Sequence, residues 1–317
     1  MKVLIVLLTL WISSPPTIPP WGFYAHRLIN RQAVFSLPPE MIRFYKFHLS
    51  YITENAVNPD RRRYAVKGEA EKHYLDADVY GDSAVYRLPR YWQQAVEQYG
   101  EDSLRAHGIA PWSTYQTFLQ LVRAFEAKDT KSILRISADL GHYVGDIHVP
   151  LHTTKNYNGQ LTGQYGIHGF WESRIPELLA DDYEFWVGKA TYLEQPQIAI
   201  WDALIRTHEA LDSVLHFEKT LSASFPENRK YSYEERGGIN TRVYSKAYTQ
   251  AYHQLLNGQV ERQMRGAVKM IADLWFTAWI MAGQPDLNTP TQLGSQPEQE
   301  ESFKPLEELQ GIREHDP

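Results

Sequence analysis

Residues 141–152 read Gly141-His142-Tyr143-Val144-Gly145-Asp146-Ile147-His148-Val149-Pro150-Leu151-His152. His142 and Asp146 stand four positions apart, so on a helix their side chains share one face, one above the other. Upstream, Ile133, Ile136 and Leu140 carry the same three-to-four spacing back to Thr130, which predicts a helix from Thr130 through Asp146. Val149-Pro150 ends or kinks it, because proline disfavours helical backbone in the residue before it. Further on, His168 and Glu172 repeat the His-x-x-x-carboxylate spacing. One such pair is ordinarily a solvated face or an ion pair. Two pairs, with His152 just past the first helix, suit a divalent cation, and zinc accepts this mixture of nitrogen and oxygen readily. His148, six residues from His142, falls on roughly the opposite helix face and is read as packing.

Working outward, strand signals are few and the apolar spacing is helical, which predicts an all-α protein. Tyr24 to Phe35 reads as a first helix, broken by Leu37-Pro38-Pro39. Pro39 opens a second helix through Tyr51. Pro111-Trp112-Ser113 begins a helix with Phe118, Leu121, Val122 and Phe125 on one stripe. Residues 153–167 form a Gly/Asn/Thr-rich loop turning at Asn158-Gly159, and a short helix carrying His168 and Glu172 follows. Residues 242–281 read as one long apolar helix or a closely joined pair, stopped by Pro285. With no internal repeat, residues 21–285 form a single helical domain, and 286–317 an acidic tail without a core to bury.

The chain has 317 residues, of which 43% are hydrophobic, enough for a real core. Its net charge of −6 is concentrated in the tail, where seven acids from Glu298 to Asp316 face Lys304 and Arg313. Bulk charge therefore selects neither nucleic acid nor membrane as a partner. With no cysteine, a disulfide scaffold and a thiolate zinc site are excluded. Lys2 and the apolar run from Val3 to Ile12 read as a signal segment, residues 1–20, too short to span a bilayer. A secreted or periplasmic location follows, with no stable protein partner inferred.

Earlier candidate ligands are His26, behind Trp21, and Asp60 with His73. The series Trp21-Gly-Phe-Tyr-Ala-His26, Asp60, His73-Tyr-Leu-Asp76, His142-x-x-x-Asp146, Pro150-Leu-His152 and His168-x-x-x-Glu172 resembles the ligand series of one superfamily. It holds the zinc-dependent single-strand-specific nucleases and the bacterial zinc-dependent phospholipases C. The match in order and approximate spacing runs from Trp21 to Glu172. The resemblance implies an all-helical domain with three zinc ions in a cleft. One would take Asp60, His73, His142 and Asp146. A second would take His152, His168 and Glu172. The third would take His26, the bridging Asp146, and the amino group and carbonyl of an N-terminal Trp21; two ions are expected if Trp21 stays internal. It also implies a catalytic role for Asp60, orienting or deprotonating the attacking water. Arg61, Tyr74 and Asp76, beside these ligand positions, are candidate substrate contacts.

The superfamily hydrolyses phosphoric esters, and zinc suits that chemistry because it acidifies bound water and offsets charge developing on phosphate. The substrate is less sharply marked. Arg61-Arg62-Arg63, with Lys67 nearby, would attract a polyanion and repel choline, although a short basic run is commonly a solvated face. Tyr24, Tyr74, Phe170 and Trp171 lie beside ligand positions and could stack a base, or simply pack. The wording of residues 145–152 leans towards the nucleases; Glu172 leans towards the phospholipases. A single-strand nuclease or nucleotidase is placed slightly ahead of a phospholipase C. A non-catalytic secreted zinc-binding protein is the third reading.

Overall fold

A computed structural model describes residues 22–236 and 238–289. The expectations for residues 1–20, for Trp21 and for the tail from 290 onward fall outside the described residues. Eleven elements organise the rest, with short turns of helix between them. These are α1 (Phe23–Ala33), α2 (Pro39–Phe47), α3 (Leu49–Glu54), α4 (Ala110–Glu126), α5 (Thr130–Ile147), α6 (Pro196–Glu209), α7 (Leu211–Ser224), β1 (Tyr231–Arg236), β2 (Ile239–Tyr244), α8 (Lys246–Leu255) and α9 (Gln259–Met281).

Helix α5 is the axis of the molecule. Asp129 caps it by accepting from the Ser132 backbone N–H at 3.2 Å, which satisfies one of the amides a helix start leaves open. Its residues from Ser137 to Ile147 are all buried, so it is surrounded on every side. Helices α1, α4 and α9 pack directly on it. The aromatic stripe of α9 is core, as its spacing implies. Trp275 donates its indole N–H to the Ser137 carbonyl at 3.2 Å and stacks on Tyr45 with ring centroids 4.8 Å apart.

Three departures from the sequence reading have local causes. The second helix divides at His48, whose backbone (φ −98°, ψ 20°) leaves helical geometry and separates α2 from α3. The helix expected from residue 242 begins only at Lys246, because 239–244 pairs with 231–236 as an antiparallel hairpin in register Tyr231 with Tyr244. Residues 246–281 then form the closely joined pair, broken where Asn257 and Gly258 take left-handed backbone (φ 48° and 73°). Among the described residues this hairpin is the one sheet, and the fold is all-α in class. No helix among them is long and apolar enough to cross a membrane.

Candidate metal centre

Two glycines let the site assemble. A Cβ on Gly141 would lie 1.9 Å from Asn30 Oδ1, and one on Gly145 would lie 2.8 Å from His26 Nδ1. Neither distance is physical, so α1 can approach α5 this closely only with glycine at both positions. The approach brings His26, buried on α1, beside His142 and Asp146 on α5; the two imidazoles stack at 4.0 Å. The sequence reading passed over these glycines, whose four-residue spacing on one helix face was the available signal.

Asp146 divides its carboxylate between two sides. Oδ2 faces His73 Nδ1 at 2.9 Å and His142 Nε2 at 3.3 Å. Oδ1 faces His152 Nδ1 at 3.4 Å and His26 Nε2 at 3.6 Å. On the first side Asp60 Oδ1 closes the group, 3.5 Å from His142 Nε2 and 3.6 Å from His73 Nδ1. On the second, His152 Nε2 and His168 Nε2 stand 2.8 Å apart, and Glu172 Oε2 lies 2.8 Å from His168 and 3.5 Å from His152. Glu172 Oε1 also reaches back to His26 Nε2 at 3.3 Å. Three adjacent groups result, the first two sharing His142, each able to offer converging ligand atoms: Asp60, His73 and His142; His26, His142 and Asp146; His152, His168 and Glu172. All the expected ligands that lie among the described residues are therefore together.

The segment carrying the second pair differs from the plain helix expected. Ile167–Gly169 begins as α-helix, but Phe170–Arg174 widens into a π-turn before Ile175–Leu179 resumes. Such turns accumulate at functional sites because the extra residue re-aims side chains. Gly22 lies against this segment with φ 101°, and a Cβ there would sit 3.2 Å from Glu172 Oε1. The residue bonded to Trp21 thus touches the site.

Charge at the centre follows from crowding. Burial alone would raise the carboxyl of Asp146, but His142, His152 and His73 reverse this and hold it well below the ordinary range. Burial likewise opposes ionisation of Glu172, and His152 with His168 overcome it. Asp60 is lowered in the same way, with His142 the strongest opponent of burial. Its side chain is 15% exposed, more than any other carboxylate or imidazole of the three groups. His142 donates from Nδ1 to the Ala56 carbonyl at 2.9 Å, which leaves Nε2 to face the carboxylates, the second-layer arrangement common to metal-binding histidines. The donor set, imidazole and carboxylate without thiolate, fits zinc.

The residues expected to meet substrate are placed unevenly. Arg61 is partly exposed beside Asp60, its guanidinium 5.8 Å from the Phe23 ring. Tyr74 and Asp76 are buried, and the backbone between them is stitched to its surroundings. Leu75 N–H donates to the His152 carbonyl at 2.9 Å, and Asp76 N–H to that of His107 at 2.8 Å. Phe170 and Trp171 are buried in the core. The basic run does not form a basic surface. Arg62 is bonded inward to Asp139 and Glu69, both at 3.1 Å, and Arg63 is only 1% exposed. His148 faces away from the ligands, donating Nδ1–H to the Val144 carbonyl at 2.8 Å.

No family model and no curated protein matches this chain. Among solved structures, it is similar to the alpha-toxin of Clostridium perfringens isolated from avian strain SWCP, with 13% identity and a TM-score of 0.44 over 84% of this chain. It is also similar to the alpha toxin from Clostridium absonum, with 10% identity and a TM-score of 0.41 over 83% of this chain. The chain spans about 65% of the length of each of these structures. At these scores the likeness assigns neither a family nor an activity.

Proposed function

We propose that this protein is a zinc-dependent hydrolase of phosphoric ester bonds. The observation that carries the reading is the convergence of three adjacent imidazole–carboxylate groups, with Asp146 facing His73 on one side and His152 on the other. When bound, zinc would supply Lewis acidity towards phosphoryl oxygens and acidify water, both of which ester hydrolysis needs. His73, His142 and Asp60 would hold one ion, and His152, His168 and Glu172 a second. His26 and Asp146 would contribute to a third, completed by Trp21 if that residue is the mature N-terminus. Asp60 we assign to the attacking water. Its carboxylate is the most accessible of the set, which places it best to meet the attacking water and orient it or take its proton.

For the substrate, we favour a phospholipid over a single-stranded nucleic acid. Arg62 and Arg63, which would have met a polyanion, are turned into the protein, and Tyr74, Phe170 and Trp171 present no open ring to a base. The loop joining His152 to His168 instead exposes Leu161 and Tyr165, 63% and 68% accessible. Apolar side chains exposed on a loop that carries proposed ligands at both its ends suit contact with an acyl-chain surface. The apolar segment 3–12 supports export. Parallel assays decide between the readings. Chelator-sensitive release of a phosphorylated head group from phospholipid vesicles is the expected result. Nucleotide release from single-stranded RNA or DNA instead would restore the nuclease reading. Fewer than two tightly held zinc ions per chain would favour the non-catalytic one.

A further inference from the structure

The three segments that supply Asp60, His73 and His142 are joined by a second layer of polar side chains, of which Glu69, Asp139 and Tyr143 are buried and Arg62 and Lys72 partly so. Arg62 shares the short helix Asn58–Arg62 with Asp60. Glu69 and Lys72 lie just ahead of His73. Asp139 and Tyr143 stand one turn apart on α5, around His142. Arg62 Nη1 donates to Asp139 Oδ1 and Nη2 to Glu69 Oε1, both at 3.1 Å. Lys72 Nζ donates to Glu69 Oε2 at 2.8 Å. The Tyr143 hydroxyl donates to Glu69 Oε1 and accepts from Arg62 Nη2 at 3.4 Å. The Tyr143 ring meets that of His73 edge-on at 5.5 Å. Glu69 and Tyr143 are each only 2% exposed.

A buried ion cluster is a poor stability device, because desolvation cancels much of its attraction and apolar replacements are often neutral. What this one fixes is geometry. The forked guanidinium of Arg62 sets the spacing of the Asp60 helix from both the His73 turn and α5, and the Tyr143 ring blocks rotation of His73. We propose that Arg62, Glu69 and Tyr143 are positioning residues for the Asp60–His73–His142 group, keeping its three donors converged without touching substrate. The inference rests on the reading that this group holds an ion.

The test is zinc retained per chain across graded chelator concentrations, read beside the melting temperature of the zinc-free protein. The zinc that His73→Gln removes defines the class of interest. Removing a single buried charge can unfold the chain, so the decisive variant is Arg62→Met/Glu69→Met, supported by the milder Tyr143→Phe. The double variant should melt near wild type when zinc-free, yet hold the His73-dependent zinc about 10- to 100-fold more weakly. The zinc held through His168 should be unchanged, and Tyr143→Phe should show a smaller loss in the same class. Unchanged affinity in the double variant overturns the proposal. So does loss of all zinc in step with a lowered melting temperature, which marks general loosening. If His73→Gln removes no zinc from wild type, the metal reading of this group fails first, and the positioning role falls with it.

Discussion

Asp60 and Glu69 carry the same charge for different ends. Asp60 is the most exposed of the proposed ligands, and asparagine keeps a ligating oxygen of the same shape while losing the basic carboxylate, so Asp60→Asn should affect chemistry more than metal binding. Asp60→Asn is expected to lower turnover by about 10²- to 10⁴-fold, the usual span for a general base, while zinc content measured on the same sample falls little. Near-normal turnover with full zinc would remove that role. Glu69 is a structural anion. Burial raises its carboxyl, and Arg62 and Lys72 bring it down to about 2. At Asp139 burial outweighs Arg62 and holds the carboxyl above its ordinary range, so Glu69 is the counter-ion assigned to Arg62. Because the folded value lies below the unfolded one, the stabilisation is complete above the unfolded value near 4.5 and is lost as pH falls towards 2. Acid melting curves should therefore be steeper for wild type over that window than for Arg62→Met/Glu69→Met. Equal slopes would show that the pair does not titrate with folding.

Helix α5 illustrates what the sequence discloses and what it hides. Its start at Thr130, its stop before Pro150 and the shared face of His142 and Asp146 are all properties of a single helix, and all were legible from spacing. The convergence of His26, Asp60 and His73 on that face is not. It depends on how closely α1 approaches, which Gly141 and Gly145 permit; their four-residue spacing hints at a close approach but does not say what approaches, and only the resemblance to the superfamily's ligand series named those partners. The hairpin escaped for a related reason. Residues 242–244 lie directly ahead of the apolar helical run and were read into it, whereas the pairing of 231–236 with 239–244 makes them strand. The arginine run misled because a linear reading cannot tell a solvated guanidinium from one bonded to Asp139. Substitutions at the glycines test the approach itself. Gly141→Ala should destabilise by about 1–3 kcal/mol through overpacking against Asn30. Gly145→Ala should push His26 away from Asp146. Its expected signature is one fewer zinc per chain with the His168-dependent zinc intact, and retention of every zinc would show that α1 can yield.

At the scale of the whole molecule, the proposed ligands are drawn from α1, the Asn58–Arg62 helix, the turn at His73, α5, the turn at His152 and the 167–174 segment. Chelation should lower the melting temperature by roughly 10 °C, since ligand linkage at a thousandfold excess over Kd is worth about 4 kcal/mol and each kcal/mol shifts a chain of this size by a few degrees. Restored zinc should return the transition, and an unchanged transition on chelation would show that the segments hold together without an ion. The dispersal of these ligands along a cysteine-free chain has a further consequence. Bound zinc would tie distant parts of the polypeptide together as disulfides do elsewhere. Such a protein ripens by metal supply rather than by oxidation, and the timing of its maturation would follow the zinc available where it folds, whatever the redox state there.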